Sequence, residues 1–303
     1  MVHSMEELLT AACEGEPGRL AVAVAQDSYV LDAVVKAADA GIADPVLVGD
    51  AKKIAQILEE LGADPTTYAI VEEPDKAEAC QVAARMVRDG DADFIMKGIV
   101  DTAVVMRAIL NRDNGLRLGG TISHDLVLEV PGFDRLFHVT DAAMTVSPTL
   151  EQKVDLVRNA VRVAHALGNA CPKVAALCAV EKVNEKMPCT VEAAELARMN
   201  AEGEISGCIV DGPLQFDNAV SVEAAHHKGI DSPVAGVADI LLVPDIEAGN
   251  MLVKAAEYFG RAKKAGVIVG AKAPVALTSR ASSAESKLYT IALARLIARG
   301  LAA

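Results

Sequence analysis

Ser279 and Arg280 stand directly behind the apolar run PVALT and ahead of a helical pattern. An arginine in such a strand-to-helix turn offers a guanidinium fork that clamps anions. Three further turns share this layout. Pro244-Asp245 follows ADILLV and leads to Gly249-Asn250 before a helix; Asp211-Gly212-Pro213 follows GCIV; Lys97-Gly98 closes DFIM, with Arg107 along the next helix. Open α/β sheets carry their chemistry at the carboxyl ends of strands, and four such polar strand ends are what a site between two α/β domains would need. Each also has a structural reading. Asp and Gly form turns, Asn250 can cap a helix, and Arg107 can lie on a solvated helix face. Ser282-x-x-Glu285 fits a capping box, with Ser282 as N-cap and Glu285 reaching back. That box does not account for Ser279 and Arg280, which precede the helix near its free N–H groups and positive dipole end.

The elements that must position these residues alternate along the chain. RLAVAVAQ reads as a strand and SYVLDAVVKAADAG as a helix closed by glycine; DPVLVGD and AKKIAQILEELGAD repeat the beat, as do YAIVEE, DFIMKGIV and the helical stretches after them. Residues 118–146 carry short strand-like pieces instead. KVAALCAVEKV is a later strand, followed by a helix opened by Thr190, and ISGCIVDGPL, ADILLVPD, AGVIVGAK and PVALTSR complete the set. The β-α-β-α order predicts largely parallel, doubly wound sheets. A length of 303 residues allows two cores. We expect two α/β domains with a cleft between them: residues 1–140 with about 270–303, and residues 141–269.

Composition narrows the function. The net charge of -13 and the absence of Trp leave no basic, aromatic-interleaved face, so nucleic acid is not an expected partner. No apolar run approaches the ~18 residues of a membrane span. The acidic start lacks the basic and apolar regions of a secretory signal. Six scattered cysteines without a C-x-x-C pair read as reduced thiols of a cytoplasmic protein. No H-E-x-x-H is present, and His226 and His227 are adjacent, so no metal site is expected. Neither a G-x-x-x-x-G-K-[ST] loop, nor a strand-linked G-x-G-x-x-G, nor a G-x-S-x-G elbow occurs.

DGPLQFDNAVS, VADILLVPDIEAGNMLVKAAEYFG and PVALTSRASSAESKLYTIALA, together with GIVDTAVVMRAIL, resemble the phosphate acetyl/butyryltransferase family from about residue 90 onward. The last segment is most similar to the butyryl branch. The resemblance implies two α/β domains of isocitrate/isopropylmalate dehydrogenase-like architecture, an active site in the interdomain cleft, and a homodimer or higher homo-oligomer. It implies acyl transfer between CoA and phosphate without a permanent cofactor, and a functional link to an acyl kinase. Arg280 then stabilises the transferring acyl phosphate, Ser279 assists, and Arg107 takes phosphate. Lys97, Asp211, Asp245, Gly249 and Asn250 are further substrate-binding candidates. Acetyl-specific relatives carry an Asp seven residues after the Ser, as a base for the CoA thiol. Here Ser286 stands at that position with Glu285 beside it, so both are candidates and the base stays open. An Arg of those relatives falls near Glu257 and Tyr258 and is missing. A phosphate acetyltransferase, a metal- or NAD-dependent oxidoreductase of the same architecture and a non-catalytic acyl-CoA binding protein are the alternatives.

Overall fold

Aspartates start many of the helices. Asp27 accepts the Val30 N–H, Asp50 the Lys53 N–H, and Asp75 the N–H groups of Ala77 and Glu78. Each satisfies donors that have no partner within the helix. The computed structural model describes residues 1–279 and 282–302; Arg280, Ala281 and Ala303 lie outside the described residues. In chain order the elements are α1 (Met5–Ala12), β1 (Gly18–Ala23), α2 (Ser28–Asp39), β2 (Ala43–Gly49), α3 (Ala51–Glu60), β3 (Ala69–Glu72), α4 (Lys76–Asp89), β4 (Phe94–Lys97) and α5 (Thr102–Leu110). There follow β5 (Ser123–Glu129), β6 (Leu136–Thr140), α6 (Leu150–Ala166), β7 (Lys173–Leu177), α7 (Pro188–Ala201), β8 (Ile209–Leu214), α8 (Phe216–Val220) and α9 (Val222–His227). The last are β9 (Ile240–Leu242), α10 (Ile246–Tyr258), β10 (Lys263–Val269), β11 (Val275–Ala276) and α11 (Ala284–Ala302).

The chain divides into two units. The first comprises Met5–Gly119 and Ala265–Ala303, the second Met1–Ser4 and Gly120–Lys264. The first seam thus falls at Gly119/Gly120, where the sequence reading placed it near 140. The reason is the antiparallel β5–β6 hairpin, whose strand β6 runs parallel to β9 and joins residues 123–140 to the second unit.

In the first unit the strand order is β3-β2-β1-β4-β11-β10, parallel except for β10 against β11. Leu20, Val22, Leu47, Phe94 and Met96 are fully buried along it. In the second unit the order is β5-β6-β9-β7-β8. Val174 and Ala176 join Ile240 and Leu242 in one core with α6 and α7, while Ala175, Leu177 and Leu241 enter another with Val220 and Val253. Successive strand residues point to opposite faces. Burial of both faces is why these strands read as continuous apolar runs.

Two helix starts differ from the sequence reading. α7 begins at Pro188, and the Thr190 hydroxyl donates to the Met187 carbonyl instead of capping. α11 begins one residue later than Ser282 would allow as cap. Ser283 Oγ accepts the Ser286 N–H at 3.2 Å, and Glu285 accepts from the Tyr289 hydroxyl at 2.7 Å instead of reaching back. The choice between the adjacent serines Ser282 and Ser283 is settled by which one the turn delivers to the free N–H.

Candidate active site

In the first unit the register Val275↔Ile95 and Ala276↔Met96 sets β11 beside β4 in parallel, so Lys97 and the segment leading to Ser279 leave the sheet at the same edge. Lys97 is the last residue of β4 and only 5% exposed; its ammonium donates to the carbonyls of Gly98 at 3.3 Å and Val100 at 3.0 Å. Gly98 is required here. A Cβ would lie 2.1 Å from the Val24 carbonyl oxygen and 2.7 Å from that of Ala23. Arg107 is exposed on α5, with Nε donating to the Ala103 carbonyl at 3.2 Å.

Ser279 is exposed, and its carbonyl accepts from the Ser282 N–H at 3.0 Å and from Lys287 Nζ at 3.4 Å. Lys287, one turn into α11 and 3% exposed, also donates to the Ser282 carbonyl at 2.9 Å. A buried cation thus ties the Ser279 turn from beneath. Arg280, the residue expected to carry charge stabilisation, lies outside the described residues. Glu285 is exposed and Ser286 is buried on the same helix start.

In the second unit β6, β9, β7 and β8 run parallel. Their carboxyl ends gather Thr140, Leu242, Leu177 and Leu214 at one edge. Asp245 caps α10 by accepting the Ala248 N–H at 2.8 Å. Gly249 is buried against residues 141–142; a Cβ there would meet the Asp141 carbonyl oxygen at 2.8 Å and Ala142 Cα at 3.0 Å. Asn250 is exposed and directs Nδ2 at the Ala142 carbonyl, 3.5 Å away. Asp211 lies within β8, accepting the Gly212 N–H at 2.8 Å, and is separated from β6 by β9 and β7. The structure therefore brings Asp245, Gly249 and Asn250 together and holds Asp211 two strands away.

Two groups escaped sequence reasoning. One is Lys287, hidden as an ordinary helical lysine. The other is Asp141, 2% exposed, whose Oδ1 accepts the N–H groups of Ala143 and Met144, both at 2.9 Å. Its Oδ2 accepts from the Thr145 N–H and Oγ1, both at 3.1 Å, and from the His124 N–H at 3.3 Å. The signal was an Asp directly behind a strand and followed by small residues, the composition of an Asx turn. Burial holds His124 below the ordinary imidazole range, with Asp141 and Asp125 opposing. Near the position of the missing Arg, Glu257 pairs with Lys264 and, at 3.1 Å, with Lys254. Burial raises its carboxyl, and the two lysines together overcome that and hold it below the ordinary range.

All six cysteines are free thiols. Among the described residues no helix is long and apolar enough to cross a membrane, and no three His, Cys, Asp or Glu side chains gather as for a metal ion.

Comparison with known proteins agrees with these motifs. The family described as phosphate acetyl/butaryl transferase matches residues 4–82 and 55–295. A phosphate butyryltransferase of Clostridium acetobutylicum is 49% identical over 298 residues, 98% of this chain and 99% of that protein. A phosphate acetyltransferase of Thermotoga maritima is 48% identical over 292 residues, 96% of this chain and 99% of that one. The crystal structure of a branched-chain phosphotransacylase from Enterococcus faecalis, 34% identical, superposes with a TM-score of 0.81 over 92% of this chain and 98% of its own. The 4-hydroxythreonine-4-phosphate dehydrogenase of Klebsiella pneumoniae, 15% identical with a TM-score of 0.54 over 94% of this chain and 99% of its own, shares the fold. That fold is the dehydrogenase-like α/β architecture expected from the motifs. With matches of this extent and identity, the chain belongs to the phosphate acetyl/butyryltransferase family.

Proposed function

We propose that the protein transfers a short acyl group between CoA and inorganic phosphate: acyl-CoA + phosphate ⇌ acyl phosphate + CoA. The observation that carries this reading is the Ser279 turn, exposed at the end of β11 and tied beneath by the buried Lys287 ammonium, in a chain that matches family members along nearly its whole length. Toward acyl-CoA, the CoA thiol loses its proton to a base and the thiolate attacks the acyl carbonyl. The C–S bond forms as the carbonyl becomes a tetrahedral oxyanion. Collapse breaks the bond to the phosphate oxygen and releases phosphate. Arg280 and Ser279 stabilise the oxyanion; one such donor is typically worth ~10²–10³ in kcat. Glu285, exposed at the start of α11, takes the thiol proton in this reading, with Ser286 beside it in place of an Asp. Phosphate leaves as a stable dianion, so direct transfer in a ternary complex needs no covalent acyl-enzyme. The net charge of -13 opposes anionic substrates, so local cations must dominate where they bind. Arg107 serves phosphate, and Lys97 shapes the turn ahead of it. Asp211, Asp245, Gly249 and Asn250 complete the substrate contacts.

Butyryl is the preferred acyl group in this reading, supported by the SRASSAESKLY form with Ser286. Relatives named for butyryl and for acetyl transfer stand at 49% and 48% identity, so identity does not divide them. CoA, acyl-CoA and phosphate are substrates, and no cofactor is held permanently. The enzyme works in the cytoplasm as a homodimer or higher homo-oligomer and is linked to an acyl kinase through the acyl phosphate. The test is CoA thiol release from acetyl-, butyryl- and isobutyryl-CoA with and without phosphate. Phosphate-dependent release fastest with butyryl-CoA is expected. Release favouring acetyl-CoA would reverse the chain preference, and no release with any would end the transferase reading.

A further inference from the structure

The loop behind β6 is organised by a group that none of the motifs pointed to. Five donors converge on the Asp141 carboxylate, which is 2% exposed, and three of them are the successive N–H groups of Ala143, Met144 and Thr145. The Thr145 hydroxyl turns inward with those N–H groups, and Ala142 is buried. Met144 is half-buried and Val146 is 62% exposed. The far end of the loop is pinned too, because the Val146 carbonyl accepts the Ile246 N–H at 3.0 Å at the start of α10. Gly249 lets α10 lie against Asp141 and Ala142 where any side chain would collide. The result is a rigid surface of loop and helix start that presents two apolar side chains and the Asn250 amide.

Charge says what that surface can hold. Neither residues 142–150 nor residues 246–252 contain a Lys or Arg, Lys254 one turn beyond Asn250 is paired with Glu257 at 3.1 Å, and Asp245 and Glu247 place two carboxylates at the α10 start. A phosphate dianion is disfavoured there. An uncharged chain of methylenes and amides is suited, with apolar contacts to Met144 and Val146 and a hydrogen bond to Asn250. We infer that Asp141 is a positioning residue that shapes residues 142–147, and that this loop with the start of α10 receives the uncharged acyl-pantetheine part of acyl-CoA. This rests on the acyltransferase reading above, with Asn250 and Gly249 in substrate binding.

Asp141→Asn keeps the size and replaces an acceptor oxygen by an NH₂ group facing N–H and O–H donors. It is expected to raise KM for butyryl-CoA by at least ~10-fold while KM for phosphate stays within ~2-fold. Calorimetric titration of the protein with butyryl-CoA alone should weaken by a similar factor, ~10-fold. Gly249→Ala, which pushes the helix start off the loop, should give the same split and serves where Asp141→Asn does not fold. Equal rises in both KM values, a rise for phosphate alone, or a lowered Tm with both KM values unchanged would overturn the inference and leave Asp141 a structural group. Should wild type bind butyryl-CoA without releasing thiol in phosphate, the transferase reading fails and the titration alone decides on Asp141. Wild type that binds no butyryl-CoA overturns both.

Discussion

The turns behind β4 and β11 of the first unit and those behind β6 and β9 of the second are tied in opposite ways. Behind β4 and β11 buried lysines do it: Lys97 gathers the carbonyls of Gly98 and Val100, and Lys287 those of Ser279 and Ser282. Behind β6 and β9 buried or half-buried carboxylates do it: Asp141 gathers N–H groups and Asp245 caps α10. A turn tied through its carbonyls carries a positive charge beneath it; a turn tied through its N–H groups carries a negative one. Charges held in a low-dielectric interior act strongly on what lies above them. The first kind suits phosphate and a developing oxyanion, the second a neutral part of the substrate.

The comparison breaks most severely at its cationic side. Arg280→Ala is expected to lower kcat/KM by ~10² or more, as for loss of an oxyanion donor, measured by thiol release; a loss within a few-fold would remove Arg280 from the mechanism. Arg107→Ala should raise KM for phosphate by ~10-fold with a smaller change in that for butyryl-CoA, the mirror image of the expectation for Asp141. Lys287→Met strips the donor from two carbonyls, and hydrogen bonds to charged groups are worth ~1.5–3 kcal/mol. Its Tm should fall and its activity with it, whereas a Lys287→Met protein of wild-type activity would show that the turn needs no cation beneath it.

The smallest effect concerns pH in the second unit. Burial lowers the pKa of His124, so the folded state keeps it neutral while the unfolded chain takes up a proton near ~6.5. Its contribution is therefore complete above that pH and is lost as pH falls below it. Tm should drop between pH ~7.5 and ~5.5, and the drop should be smaller in His124→Gln, since carboxylates titrate lower. An equal drop in both proteins would assign the change to other groups.

Much of this was legible in the residues. Apolar runs of strand length mark β1, β4, β7 and β9 because both sheet faces are covered, and the motifs around Asp211, Asp245 and Ser279 carry the family. The helix cap at Ser283 and the start of α7 were not legible, since adjacent Ser, Thr and Pro residues can each begin a helix. Lys97 is a candidate for substrate contact by type and position, and what spacing did not show is that its ammonium also donates to carbonyls of its own turn. Asp141 and Lys287 were invisible for a shared reason. Their roles depend on burial and on the direction of several backbone groups at once, which residue spacing does not encode.

The amino-acid sequence by itself determined the α/β class, the parallel strands and the family, because strand and helix periodicities and short motifs are local. Only the tertiary structure decided which charge lies beneath each turn. That outcome depends on long-range packing, which drives a lysine or an aspartate out of water and leaves backbone carbonyls or N–H groups as its partners.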